Sequence, residues 1–270
     1  MKHLVLLFIA LLFVYPVFAE TEDLNTQLMR ATVKISHTNS TGTGFILYNQ
    51  KDEKHILVTA SHVLENTPGE ETSLIFRSKQ AEGEYKKEPA KLLIRKEGKP
   101  LWTKSKTQDV AVLWITPPNN ADLVKISTSI LASDNDLIKH KVHSGEKIAY
   151  LGYPHREESN PAGFPILRDG PIASFPLVPT QKTKSFFMSS NTFEGDSGGP
   201  VFLTRTNNFT PNNATPNNES LNLILGLVIA QRFLDEDMKS IYGATKVRHR
   251  LGISIIVHAT FIKEAIEQLK

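Results

Sequence analysis

The feature that most restricts the fold is a series of short apolar runs with no long helical pattern between them. "ATVKIS", "TGTGFILY", "HILVTA", "DVAVLWI", "KIAYLGY", "SFFMSS", "PVFLT", "LILGLVIA" and "GISIIVHA" follow one another along the chain. Glycine, asparagine, proline and aspartate stand between them. Runs this short, alternating or rich in β-branched residues, read as strands. Many strands without intervening helices predict an all-β sandwich or barrel. The end of the chain departs from this pattern. "ATFIKEAIEQLK", residues 259–270, puts Phe261, Ile262, Ala265, Ile266 and Leu269 on one helical face. A C-terminal helix packed on a β body is expected.

The first stretch, "MKHLVLLFIALLFVYPVFA", is expected to stand outside this fold. A basic start at Lys2 and His3, an apolar run from Leu4 and the ending Val17-Phe18-Ala19 form a secretory signal, 1–19, with cleavage after Ala19. The competing reading is a transmembrane anchor. Against it, the run is short, broken by Pro16 and followed by acidic residues. Localisation is therefore expected to be secreted or periplasmic, with no stable membrane insertion after signal removal.

The chain of 270 residues carries a formal charge of +3. Removing Lys2 with the signal leaves 30 basic against 28 acidic side chains. That near-neutral balance offers no electrostatic case for a nucleic-acid partner. There is no cysteine, so no disulfide supports the fold. About 250 residues suffice for a hydrophobic core without one. A cysteine-free exported chain suits a bacterial envelope or medium better than a disulfide-rich animal secretion.

Three lesser features have bland readings. "TRTNNFTPNNATPNNES", residues 204–220, is expected to be a long exposed loop whose acceptor-like triplets at Asn208, Asn213 and Asn218 come cheaply from its asparagines. His140 and His143 in "HKVH" lack a third ligand nearby and read as solvated rather than as a metal site. "DEDMK" from Asp235 to Lys239 reads as a solvated turn.

The stretch that carries chemistry is "NTFEGDSGGPVF", residues 191–202. Ser197 stands among Gly195, Gly198, Gly199 and Pro200, next to Asp196. Clustered glycines signal a backbone shape that other residues cannot take. A serine hydroxyl is a weak nucleophile and needs a base to accept its proton. Of nine histidines, His62 has a distinctive setting. In "HILVTASHVLEN" a strand ends at Thr59-Ala60 and a helical turn begins at Ser61. That presents an imidazole at the rim of a sheet. "TQDVAVLWI" supplies Asp109 at the start of an apolar strand, where a carboxylate is costly unless hydrogen-bonded.

"TASHV", "DVAVL" and "GDSGGP", in the order His, Asp, Ser and separated by 47 and 88 positions, resemble the chymotrypsin-type (trypsin-like) serine proteases. "TGTGFIL" and "IAYLGYP" resemble the bacterial branches, the glutamyl endopeptidases and the protease part of the HtrA group. The likeness runs from about Ala31 to the final helix. It implies two antiparallel Greek-key β-barrels: 20–130 carrying His62 and Asp109, and 131–258 carrying Ser197 and the specificity pocket, with the helix at 259–270. It implies a serine endopeptidase acting on protein or peptide substrates through an acyl-enzyme, with no cofactor or metal. His62 would be general base, Asp109 its orienting partner and Ser197 the nucleophile. The N–H groups of Gly195 and Ser197 would form the oxyanion hole, with a side chain at Gly195 expected to obstruct it. The rival reading is a non-catalytic binding module on the same fold.

Two departures from the family stand out. The digestive members' Ile-Val-Gly-Gly terminus, which pairs with the aspartate before the serine, is missing near residue 20. Asp196 then either pairs internally or its loop orders otherwise. No peptide-binding domain of the HtrA kind is expected after Lys270. In the primary pocket the family pattern puts Asn191 at the base, with walls from Thr192 and from Val228, Ile229 and Ala230. Asn191 carries no charge for a basic side chain. Val228 stands where glutamyl endopeptidases have histidine. The expectation is a pocket for uncharged, small to medium apolar side chains. Strand alternation decides which of the three wall residues face it, and Arg232 would restore a glutamate preference if it bent inward.

Overall fold

The computed structural model describes residues 22–38, 40–205, 221–240 and 243–269. The expected signal segment with its cleavage point, and the triplets at Asn208, Asn213 and Asn218, lie outside the described residues. Among the described residues no helix is long and apolar enough to cross a membrane.

The described chain opens with a helix that strand periodicity does not predict, α1 (Leu24–Ala31). The Asp23 carboxylate caps it by accepting the Thr26 N–H at 3.2 Å. Leu24, Leu28 and Ala31 share one face and are buried. Both signals are in the sequence, but eight residues are too few for the period to stand out.

The first sheet is built from β1 (Thr32–Ser36), β2 (Thr41–Asn49), β3 (Lys54–Thr59), β4 (Glu71–Lys79), β5 (Tyr85–Leu93), β8 (Thr103–Lys104) and β9 (Ala111–Ile115). A two-residue pair, β6 (Arg95–Lys96) with β7 (Lys99–Pro100), stands apart, and a short helix α2 (Ser61–Glu65) follows β3. The strand order is β5-β4-β1-β2-β3-β9-β8, with all neighbours antiparallel. Within it, β4 returns beside β1 of the β1–β2–β3 meander, which is a Greek key.

The second sheet follows helix α3 (Asp134–Lys139). It contains β10 (Lys147–Gly152), β11 (Ile166–Pro171), β12 (Ser185–Ser189) after helix α4 (Thr180–Thr183), β13 (Pro200–Arg205), β14 (Leu221–Ser240) and β15 (Gly243–His258). Its order is β11-β10-β13-β14-β15-β12, again antiparallel throughout.

The architecture is therefore two antiparallel β domains, but the ladders do not close into the expected barrels. The first sheet ends on β5 and on the two-residue β8. In the second, one bridge between Ile172 and Met188 joins the two edge strands. β11 ends at Pro171, which has no N–H to extend the ladder.

Side chains alternate along β2 and β3, so both faces of these strands are covered. Phe45, Leu47, Ile56 and Val58 join a core that includes Val201, Phe202 and Leu225 of the second sheet. Ile46 and Leu57 face a second core with Val33, Leu74 and Phe76. The C-terminal helix α5 (Ala259–Glu267) buries Phe261, Ile262 and Ala265 in the first of these cores, with Ile266 and Leu269 partly packed against it.

The acidic run is a second expectation that needs correction. Asp235 to Lys239 is not a turn. It lies in β14, in the outer part of a long hairpin with β15, where Arg248 Nε donates to Asp235 at 2.7 Å. The charges keep this stretch exposed, but cross-strand pairing with opposite charges lets it stay extended. The histidines of "HKVH" separate: His140 caps the end of α3, and His143 faces Glu146 at 3.8 Å.

Candidate active site

Register brings His62 and Asp109 together. β3 and β9 pair with Thr59 opposite Ala111. The chain leaving β3 and the chain entering β9 therefore meet at one edge of the sheet. His62 sits there on α2, and Asp109 precedes β9. His62 Nδ1 lies 2.5 Å from Asp109 Oδ2. The His62 backbone N–H donates to Asp109 Oδ1 at 3.0 Å, and Ser61 Oγ donates to the same oxygen at 2.5 Å. Burial acts to raise the Asp109 pKa, but these donors outweigh it and hold the carboxyl down at about 2. An ionised carboxylate accepting from Nδ1 assigns the imidazole proton to Nδ1 and leaves Nε2 as the basic nitrogen.

Ser197 arrives from the second domain, on the loop between β12 and β13. The loop is fastened to the first sheet: Thr43 N–H donates to Ser197 O at 2.9 Å, and Thr43 Oγ1 donates to Gly195 O at 2.6 Å. It is fastened to β14 as well, since Gly198 N–H donates to Val228 O at 2.7 Å. Asp196 N–H and Gly199 N–H also have acceptors, Phe193 O and Asp196 O. Among the described residues, the N–H groups of Gly195 and Ser197 have no protein acceptor. They are the two expected as oxyanion donors.

Close approach of neighbouring backbone requires the glycines. Gly198 has φ +89°, and a Cβ there would stand 2.1 Å from Thr43 O. Gly195 has φ +98°, and its Cβ would meet Tyr153 O at 2.1 Å. A side chain at Gly195 would thus collide with the Tyr153 carbonyl. A cleft of about 160 Å³ is lined by His62, Ser197, Gly195, Glu194, Gly42 and Val63, among others. The base and the hydroxyl share this space.

Comparison with known proteins now places the chain. Residues 42–209 match the model of the trypsin-like peptidase domain. The chain belongs to this family. Solved structures similar to the peptidase include the Rv3671c protease of M. tuberculosis H37Rv in an inactive form, at 15% identity and TM-score 0.46, covering 90% of this chain and 91% of that one. The protease Anisep from Arthrobacter nicotinovorans is similar at 14% identity and TM-score 0.48, covering 90% and 96%. No curated protein matches the peptidase.

The partner of the peptidase's Asp196 is Arg168, on β11. Asp196 is fully buried, its Oδ1 pairs with the Arg168 guanidinium, and its Oδ2 accepts the Phe193 N–H at 2.7 Å. Burial pushes the Asp196 pKa up despite the opposing pull of Arg168. Arg168 also donates to Asn191 O at 3.2 Å, and Tyr150 Oη donates to that oxygen at 2.8 Å. Sequence reading missed Arg168 because its partner is 28 positions away, with no local pattern to link them.

The residues expected around the primary pocket are divided. Asn191 is exposed and Thr192 is buried, with Thr192 Oγ1 lacking a partner among the described residues. Val228 is in the core. A bulge between Val228 and Ala230 leaves Ile229 unpaired and half-buried, and Ala230 is exposed. Gly252 on β15 faces Asn191, since a Cβ there would lie 3.7 Å from Asn191 Oδ1. An isolated glycine inside a strand is the signal that marks it. Arg232 stacks on the Phe187 ring, 5.5 Å from its centroid.

Proposed function

We propose that the protein is a secreted or periplasmic serine endopeptidase working through an acyl-enzyme. Ser197 Oγ attacks the scissile carbonyl carbon while His62 Nε2 takes its proton. Asp109 holds the ring and stabilises the imidazolium that forms. The carbonyl oxygen becomes an oxyanion facing the N–H groups of Gly195 and Ser197. Each such donor contributes on the order of 3 kcal/mol to the transition state. Imidazolium then protonates the leaving amine, the bond to nitrogen breaks, and water repeats the sequence in reverse to release Ser197.

The observation that carries the reading is the hydrogen-bond pattern of residues 195–199. Three of its N–H groups have protein acceptors, and among the described residues those of Gly195 and Ser197 have none, in a loop that shares a cleft with His62. Free donors are what an oxyanion requires. The Arg168–Asp196 pair supports a further point: the loop has an internal anchor, so no second, zymogen-type cut is needed.

Fluorophosphonate labelling tests the reading, because only an activated serine reacts. One adduct on Ser197, lost in His62→Ala, is expected. An unreactive protein would favour the non-catalytic binding module.

A further inference from the structure

Gly195 is the third residue of a four-residue turn, closed by Asp196 N–H donating to Phe193 O at 3.0 Å. The peptide joining Glu194 to Gly195 crosses the middle of that turn. Such a central peptide can stand in either of two opposed orientations while the turn persists, which is the difference between turn types I and II. Only one of them aims the Gly195 N–H at the cleft. Because a trans peptide is planar, its C=O and N–H point in opposite directions. Whatever holds the Glu194 oxygen therefore aims the Gly195 N–H. That oxygen accepts the backbone N–H of His155 at 2.7 Å.

We infer that His155 is a positioning residue for the oxyanion hole, held in place by a brace, residues 153–164, that stands on the first domain. This rests on the serine-peptidase reading and adds to it the origin of the hole's geometry. The brace bends through two consecutive left-handed residues, His155 at φ +48° and Arg156 at φ +71°. Non-glycine residues avoid this region, so the surroundings must impose it. The His155 ring packs against Phe193, inclined at 58° with 5.3 Å between centroids, at the start of the turn it controls.

The foot of the brace is polar and buried. Arg77 of β4, 1% exposed, donates to Gly163 O at 3.2 Å and Tyr153 Oη at 3.3 Å, one at each end of the brace. Its other amino group donates at 2.7 Å to Arg30 O and to Thr32 O, where α1 runs into β1. Glu158 pairs with Lys34 of β1 and with Lys87 of β5, the latter at 2.5 Å. The first domain thus supplies His62 and Asp109, and through the brace it also orients the donor peptide in the second.

The test uses the protein expressed from its full sequence. The cleanest change is the ester analogue at residue 155, which replaces only that N–H by oxygen. His155→Val, whose branched side chain disfavours φ +48°, and Glu158→Gln, which loosens the foot, are the second and third variants. Three quantities are read: kcat and KM on one peptide, affinity for the matching peptide aldehyde, and affinity of the substrate peptide in the Ser197→Ala background. The aldehyde needs the hole, because Ser197 adds to its carbonyl and leaves an oxyanion, whereas simple peptide binding does not. Expected is a fall in kcat of about tenfold or more for the ester and for His155→Val, a smaller fall for Glu158→Gln, and a parallel loss of aldehyde affinity. KM and peptide binding to the Ser197→Ala forms should stay within about threefold. Unchanged kcat, or equal losses of aldehyde and peptide binding, would overturn the inference while the peptidase reading stands. A parent protein without activity would overturn both.

Discussion

Arg168 and Asp196 form an ion pair whose carboxylate is fully buried next to Ser197, and the same guanidinium donates to the carbonyl of Asn191. One side chain thus ties together the anchor of the serine loop and the backbone at the base of the expected primary pocket.

Replacing Arg168 by alanine should therefore damage both. It leaves a buried carboxylate without its cation, a change that costs about 3–5 kcal/mol. Thermal unfolding should show that loss, and kcat/KM should fall far more than a distant surface variant allows. Arg168→Lys should recover only part, since an ammonium cannot reach both Asp196 and Asn191 in a fork. Unaltered melting and kinetics in Arg168→Ala would exclude the anchor role.

His258 makes a prediction about stability and pH. It is buried beside Thr183, and burial pushes its pKa down to about 4 from the ordinary 6.5. Between those values the unfolded chain binds a proton that the folded chain refuses. Stability contributed here is complete above pH 6.5 and falls as pH falls toward 4, by about 3 kcal/mol in all. Denaturant unfolding at pH 7 and pH 4.5 should show the loss, and His258→Gln should flatten it. Asp109, held at about 2, contributes separately and at lower pH, its share disappearing below 3.8.

Export is tested by mass. Protein recovered from the periplasm or medium should begin at Glu20, and a mass retaining residues 1–19 would favour an anchor instead.

The primary pocket should prefer uncharged, small to medium apolar residues. Asn191 offers no charge, Val228 faces the core, and Arg232 lies on Phe187. Matched peptides with Val, Leu, Glu and Lys at the cleaved position give the ranking by kcat/KM. A clear preference for Glu or Lys would refute the expectation. Loss of a Glu preference in Arg232→Ala would then identify that arginine as its source.

Much of this was legible in sequence because it depends on local pattern. Short apolar runs marked β1, β2, β3, β9, β10, β12, β13 and the inner parts of β14 and β15, Phe261 to Leu269 marked the C-terminal helix, and Ser61 the turn that presents His62, whereas the more polar β4, β5 and β11 carried no such run. What stayed hidden depends on distant partners or on backbone alone. Arg168 meets Asp196 across 28 positions, and Arg77 meets Gly163 across 86. Neither has a sequence signature. The His155 N–H is present in any residue except proline, so its role emerges only from where the chain carries it. Barrel closure failed as an expectation because edge pairing depends on strand length and on Pro171, which periodicity does not weigh. The acidic run at Asp235 looked like a turn because its cross-strand partner Arg248 could not be foreseen.

The central claim is that Ser197 and His62 act as one unit. Its most direct measurement is kcat/KM for Ser197→Ala, His62→Ala and the double variant on one peptide. Each single change should remove nearly all activity, and the double should be hardly worse, because either loss alone disables the same proton-coupled attack. Losses that multiply in the double variant, or substantial activity in Ser197→Ala, would contradict it.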